Sequence, residues 1–150
     1  RNVLLHQLAR SAKSTQQLRK ILENREIPSE IAERVLERFT EVGLIDDQAY
    51  AETIVNSRRN FKGLSKSAIK RELNEKGVPA AFIETAIESI SAEDDFEAAK
   101  ELAARRIRQM SALTREVRER RLAGYLGRKG YPSSVVFAAI KFAESQIDPV

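Results

Sequence analysis

The hydrophobic positions of this 150-residue chain follow one helix–turn–helix pattern that occurs three times. In each copy, two apolar residues four positions apart precede an apolar residue that stands directly before a proline. The three copies are Leu18-x₃-Leu22-x₄-Ile27-Pro28, Ile69-x₃-Leu73-x₄-Val78-Pro79 and Leu122-x₃-Leu126-x₄-Tyr131-Pro132. A repeat of about 50 residues predicts a chain that stacks copies of one small helical unit.

Helical periodicity continues through almost the whole chain, and no segment alternates apolar and polar residues for long. The pattern therefore predicts an all-α fold with about nine helices in three tandem three-helix repeats, forming an elongated or curved array. We place the repeats at residues 1–43, 44–92 and 93–150. The predicted helices lie near residues 2–12, 15–25, 29–43, 47–60, 65–76, 80–91, 93–111, 114–129 and 133–147.

Several helix starts carry a capping signal. Ser14 with Gln17, and Ser91 with Asp94, have the spacing of a capping box. The pairs Asp46-Asp47 and Asp94-Asp95 stand at helix starts, where carboxylates accept hydrogen bonds from free backbone amides. We therefore interpret both acidic pairs as caps, and not as ligands of a divalent cation or acid–base groups.

The turns before the prolines contain glycine in two copies of the repeat. In Lys76-Gly77-Val78-Pro79 and Lys129-Gly130-Tyr131-Pro132, glycine can adopt the left-handed conformation that commonly ends a helix. The first copy reads Arg25-Glu26-Ile27-Pro28 and lacks glycine. We expect this first turn to be strained or differently shaped.

Apolar spacing also predicts which side chains are buried. In the third helix, Ile31, Val35, Phe39 and Val42 recur at helical spacing and predict one buried stripe. Five aromatic side chains stand at apolar positions and are expected in the core, which argues against stacking on nucleic-acid bases. They are Phe39, Phe61, Phe82, Phe96 and Phe137.

The net charge of +4 conceals a strong segregation of charge along the chain. Residues 57–77 carry seven bases and two acids, and residues 100–132 carry ten bases and three acids. Blocks of this size are enough to attract a polyanion, although solvated helix faces give the same pattern.

The longest apolar run has six residues, against about 20 needed to span a membrane. No cysteine is present, which fits the cytoplasm, and the start at Arg1 leads us to expect a preceding N-terminal piece.

Three phrases of the sequence resemble the RecX family. The strongest is Val42-Gly43-Leu44-Ile45-Asp46-Asp47-Gln48-Ala49-Tyr50-Ala51. Ser57-Arg58-Arg59 and Lys62-Gly63-Leu64-Ser65 follow, and the third phrase is Arg121-Leu122-x₃-Leu126-x-Arg128-Lys129-Gly130-Tyr131. The chain departs from the family at residues 10–14, where the family often has an acid and an aromatic residue or histidine before Ser14.

The resemblance implies an all-α protein of tandem three-helix repeats that regulates the RecA recombinase. It implies binding to RecA and to the RecA–single-stranded DNA filament, with inhibition of recombinase, ATPase and co-protease activity as the common outcome. We expect a monomer in the cytoplasm that is not an enzyme.

The chain offers little material for catalysis or for cofactor binding. His6 is the only histidine, and without cysteine or a second histidine it cannot build a zinc site of the usual kind. The glycines of residues 124–130 lie on and after a helix without a preceding strand, so they do not form a phosphate loop. We expect no cofactor and no metal.

Basic side chains are the better candidates for function, because they can contact phosphates or acidic side chains. Lys66 and Lys70 are four positions apart, and Arg121 and Arg128 are seven apart, so each pair shares one face of its predicted helix. The candidates for DNA or RecA-filament binding are Arg58, Arg59, Lys62, Lys66, Lys70, Arg105, Arg108, Arg120, Arg121, Arg128 and Lys129.

A sequence-specific helix-turn-helix transcription regulator is the alternative function. Such a protein needs polar, base-reading side chains near the start of a recognition helix. The helices after the prolines instead begin with Ser29-Glu30-Ile31, Ala80-Ala81-Phe82 and Ser133-Ser134-Val135.

Overall fold

The computed structural model describes residues 1–147, and the chain has no β-strand within that range. A 3₁₀ turn over Arg108–Met110 follows the seventh helix. The all-α prediction is confirmed. The nine helices of the described range are α1 (Asn2–Arg10), α2 (Thr15–Asn24), α3 (Ser29–Glu41), α4 (Asp47–Asn60), α5 (Lys66–Glu75), α6 (Ala80–Ile87), α7 (Ala92–Ile107), α8 (Arg115–Arg128) and α9 (Ser133–Ile147).

The chain forms two compact units. Unit 1 comprises residues 1–55 and 70–87, and unit 2 comprises residues 56–69 and 88–150, so α4 and α5 contribute to both. A leucine-rich cluster from α1, α2 and α3 forms a core in unit 1. In unit 2, α7, α8 and α9 pack together around small and branched side chains such as Ala99, Ala103 and Ala139.

The turns after α2, α5 and α8 share one hydrogen-bond pattern. The amide of the residue before proline donates to the carbonyl five residues earlier, as in the pairs Ile27–Leu22 and Val78–Leu73. This is the Schellman arrangement, in which the residue directly before the donating amide adopts the left-handed conformation. Gly77 and Gly130 supply that residue, and Glu26 adopts it with φ 59°. The first turn is therefore strained, as expected, but it has the same shape as the others.

The capping boxes at Ser14 and Ser91 are confirmed. Asp46 caps α4 by accepting from the amide of Ala49. Asp47 has a different role, because its Oδ1 accepts from the amide of Thr15 at 2.8 Å and caps α2. The N-terminus of α2 therefore depends on a residue from the start of α4.

The buried stripe predicted for α3 is correct at Phe39, which is buried, and wrong at Ile31 and Val42. Ala32, Leu36 and Phe39 are buried, whereas Ile31 and Val42 are exposed. Helical spacing identifies an apolar face but does not determine which edge of that face meets the core.

The prediction of a core role holds for only one of the five aromatic side chains, Phe39. Phe61 is 88% exposed and Phe137 is 72% exposed. Phe82 is also exposed, and Phe96 is partly buried beside Lys100, whose Nζ lies 4.7 Å from the ring centroid.

Candidate nucleic-acid interface

Unit 2 contains every predicted binding residue except Lys70. By sequence, unit 2 holds fifteen Lys and Arg against ten Asp and Glu, a net charge of +5. Unit 1 holds eleven bases against twelve acids, a net charge of −1. Lys70, in unit 1, forms an ion pair of 3.1 Å with Glu84. The positive charge of the chain is therefore a property of unit 2.

A groove of about 400 Å³ lies within unit 2. The turn between α4 and α5 forms one side, and side chains of α7 and α8 form the rest. Lys62, Arg105 and Lys129 bring three cationic groups to this groove, and Glu101 brings a carboxylate that pairs with Arg105 at 2.8 Å. The Arg105–Glu101 pair is exposed and contributes little, so an incoming anion can replace the carboxylate.

Three hydrogen bonds fix the turn that carries Lys62. The Tyr131 hydroxyl donates to the carbonyl oxygen of Gly63 at 2.8 Å, and the Lys129 Nζ donates to the carbonyl oxygen of Lys62 at 2.7 Å. The Arg59 guanidinium donates to the carbonyl oxygen of Leu64 at 3.2 Å. Burial raises the pKa of Tyr131 to about 12, so its phenol remains a donor across the physiological range.

Arg59, a predicted binding residue, is engaged inside unit 2. Its guanidinium pairs with the carboxylate of Asp95, and both side chains are largely buried. Asp95 also accepts from the amide of Lys66 and so caps α5. The interpretation of Asp95 as a cap of its own helix is therefore wrong, whereas Asp94 does cap α7. Hydrogen bonds from the backbone and side chain of Ser91 lower the pKa of Asp94.

The remaining candidate bases differ in exposure. Arg108, Arg120, Arg121 and Arg128 are exposed on the 3₁₀ turn and α8, whereas Arg58 and Lys66 are partly buried. Arg118, which sequence reasoning did not select, forms a buried ion pair with Glu144 at 2.9 Å. Helix α8 thus uses one arginine for packing and presents others to solvent.

Comparison with known proteins places the chain in a family. The models of the first, second and third three-helix domains of RecX match residues 1–39, 46–87 and 93–140. The chain belongs to the RecX family. The regulatory protein RecX of Streptomyces coelicolor is 43% identical over 143 residues, covering 95% of this chain and 76% of that protein. The regulatory protein RecX of Thermobifida fusca is 36% identical over 141 residues, covering 94% and 76%.

Two solved RecX structures share the fold. The crystal structure of RecX from Lactobacillus salivarius superposes with a TM-score of 0.80 at 20% identity, covering 95% of this chain and 93% of that chain. Another crystal structure, of regulatory protein RecX, gives a TM-score of 0.75 at 28% identity, covering 93% and 68%. The likeness supports the all-α architecture of this RecX chain.

Sequence reasoning missed Arg106 and Asp95 in the RecX chain. The Arg106 guanidinium lies 4.5 Å from the ring centroid of Tyr125, and the Lys129 Nζ lies 5.5 Å from the same centroid. A signal for Asp95 was present, because it precedes Ala99 and Ala103 at intervals of four and so falls on the buried face of α7. No comparable signal identifies Arg106.

Other site classes find no support in the described part of the RecX chain. Across residues 1–147, no three side chains of the His, Cys, Asp and Glu types gather as they would around a metal ion. Within the same range, no helix combines the length and apolar character required to cross a lipid bilayer.

Proposed function

We propose that this RecX chain is a non-enzymatic regulator of RecA that binds the RecA–single-stranded DNA filament and inhibits recombinase, ATPase and co-protease activity. The observation that carries the proposal is the concentration of positive charge in unit 2, where exposed bases lie on α7 and α8 and three cationic side chains line the groove. We further propose that the protein acts as a monomer in the cytoplasm.

Contacts with phosphate would supply much of the affinity of unit 2. Exposed lysine and arginine side chains that neutralise phosphates release counterions, which favours binding and makes it sensitive to salt. Such contacts orient a protein on nucleic acid without reading its sequence. Unit 1, with a net charge of −1, would contribute to contacts with RecA itself. When two weak contacts are made by one chain, the first holds the second at a high effective concentration, which raises the overall affinity.

The proposal is tested by titrating the protein into RecA that hydrolyses ATP on single-stranded DNA. We expect hydrolysis to fall at amounts of the protein that are substoichiometric or comparable to RecA. An unchanged rate, together with unchanged filament assembly, disassembly and strand exchange, would contradict the proposal. Footprinting on genomic DNA without RecA separates the alternative, since protection of one specific operator would favour a transcription regulator.

A matched pair of variants tests the role of charge in unit 2. The double variant Arg121→Glu/Arg128→Glu reverses two exposed charges on α8, and Lys20→Glu/Arg34→Glu reverses two exposed charges in unit 1. We expect the α8 variant to bind filaments more weakly, with a shallower dependence on salt, at unchanged helical circular dichroism. Filament affinity and salt dependence of the α8 variant equal to those of the wild type would show that α8 does not face the filament.

A further inference from the structure

Phe61 is the most exposed large hydrophobic side chain of the described residues, with 88% of its surface accessible. It stands directly after α4, in the turn that borders the groove of unit 2. An aromatic ring held in water loses the favourable free energy that burial would give it. Exposure of this extent therefore needs an explanation at a candidate binding site.

The position of Phe61 is fixed by its surroundings. Its amide donates to the carbonyl oxygen of Ser57 at 3.0 Å, which extends the hydrogen bonding of α4 to this residue. The next two carbonyl groups, of Lys62 and Gly63, accept from Lys129 and Tyr131. The ring is thus attached to a backbone that is tied to Lys129 and Tyr131 in the turn between α8 and α9, so little ordering entropy is lost when a ligand binds.

The groups around Phe61 define the chemistry of a ligand. Lys62 and Arg105 are exposed and line the same groove, and Lys129 reaches it from the turn after α8. Glu101, the acid of the groove, is already paired with Arg105. An exposed aromatic ring beside several cations matches the alternation of flat bases and phosphates in single-stranded nucleic acid.

We propose that this groove binds single-stranded nucleic acid directly, with one base stacked on Phe61 and a neighbouring phosphate held by Lys62 and Arg105. The inference rests on the proposed function, because it names the filament component that unit 2 meets. A duplex is a poor ligand for this site, because its bases are stacked on each other and offer no free face. An apolar pocket of a protein partner is the competing occupant, and the experiment separates the two.

The test uses the absence of tryptophan from the chain, because an introduced tryptophan is then the only indole and can be excited selectively over the three tyrosines. In Phe61→Trp, we expect oligo(dT) to quench the emission, since a base stacks on the indole. Phe82→Trp is the control, because Phe82 is also exposed but lies in unit 1 and not in the groove. Equal quenching of the two variants would overturn the proposal.

The aromatic requirement is tested with Phe61→Leu, measured without RecA. We expect its affinity for oligo(dT) to fall by about 5- to 100-fold, which corresponds to the loss of one stacked base, while affinity for a duplex of the same length is unchanged. Circular dichroism checks that the variant folds. Wild-type affinity of Phe61→Leu for oligo(dT) would overturn the proposal, and weaker inhibition of RecA at unchanged oligo(dT) affinity would assign Phe61 to a protein pocket.

The two proposals fail in different assays. Loss of oligo(dT) binding in Phe61→Leu supports the stacking site whether or not RecA responds to the protein. Absence of any effect of the wild-type protein on RecA would remove the regulatory function and leave a single-strand-binding groove.

Discussion

The hydroxyl of Ser65 donates a hydrogen bond of 2.8 Å to the carbonyl oxygen of Gly130, which joins the start of α5 to the turn after α8. The equivalent bond in unit 1 runs from Ser14 to the carbonyl oxygen of Lys76 at 2.7 Å. In both places, the glycine of the turn lies against a residue of the preceding repeat: Gly77 against Gln16, and Gly130 against Ala68. A Cβ atom at Gly130 would lie 2.6 Å from the Ser65 Oγ and from the Ala68 Cβ.

We expect Gly130→Ala to destabilise the protein for two reasons. The positive φ of 93° costs an L-residue about 1–2 kcal/mol, and the new methyl group would force α5 away from the turn. The control is Gly127→Ala, because Gly127 lies inside α8 with nothing within 4 Å of its added Cβ. We expect Gly127→Ala to stabilise the protein by up to about 1 kcal/mol. Urea unfolding measures both variants, and equal midpoints would contradict the close approach at Gly130.

Glu26→Gly should stabilise the first turn. Glu26 holds φ 59°, a conformation that costs an L-residue about 1–2 kcal/mol and a glycine almost nothing. The greater backbone freedom of glycine in the unfolded chain offsets part of this gain, so we expect a net increase of about 0.5–1 kcal/mol in the free energy of unfolding. Thermal unfolding checks this value, and a lower melting temperature would show that the Glu26 side chain contributes more than its backbone costs.

Replacing one partner of the Arg118–Glu144 ion pair should lower the free energy of unfolding far more than replacing both partners. The two side chains are only 12% and 5% exposed, and the Arg118 Nη1 also donates to the carbonyl oxygen of Leu113 at 2.7 Å. Glu144→Gln alone should cost about 3–5 kcal/mol, because it removes the carboxylate charge that two nitrogens of the Arg118 guanidinium contact.

The double variant Arg118→Met/Glu144→Leu should lose much less stability, since it leaves no buried charge. Arg115→Ala is the surface control, because the Arg115–Glu119 pair is exposed and should contribute less than about 1 kcal/mol. If Glu144→Gln unfolds in urea at the wild-type midpoint, the Arg118–Glu144 ion pair does not stabilise the fold.

Tyr131 should make stability fall at alkaline pH. Burial raises its pKa to about 12 in the folded chain, above the ordinary value of 10. The stabilisation is therefore complete below about pH 10 and is lost as the pH rises towards 12. Urea midpoints measured across this range should decline for the wild type and decline less for Tyr131→Phe. At neutral pH, Tyr131→Phe should itself be less stable, because the hydrogen bond to Gly63 is absent.

The sequence predicted those features that depend on neighbouring residues. The proline-marked repeats, the capping box at Ser14 and the left-handed glycine at Gly77 all follow from spacings of a few positions. Even the strain at Glu26 was predictable, because the first turn lacks the glycine that the other copies have.

The features that sequence reasoning missed depend on contacts between distant segments. Asp95 caps a helix whose first residue is 29 positions earlier, and no local pattern shows this partner. Phe61 was assigned to the core because it stands at an apolar position, but it lies one residue beyond the end of α4 and is 88% exposed. The end of α4 was predicted at the correct residue, so the error lay in assigning an aromatic residue beyond the helix to the core.

The bond from Ser14 to Lys76 has a consequence for biosynthesis. The two residues are 62 positions apart, so α2 leaves the ribosome before its partner has been translated. The nascent first repeat also lacks Asp47, which is needed to occupy the amide of Thr15. The contacts of α2 can therefore be complete only after the chain has been translated as far as Lys76.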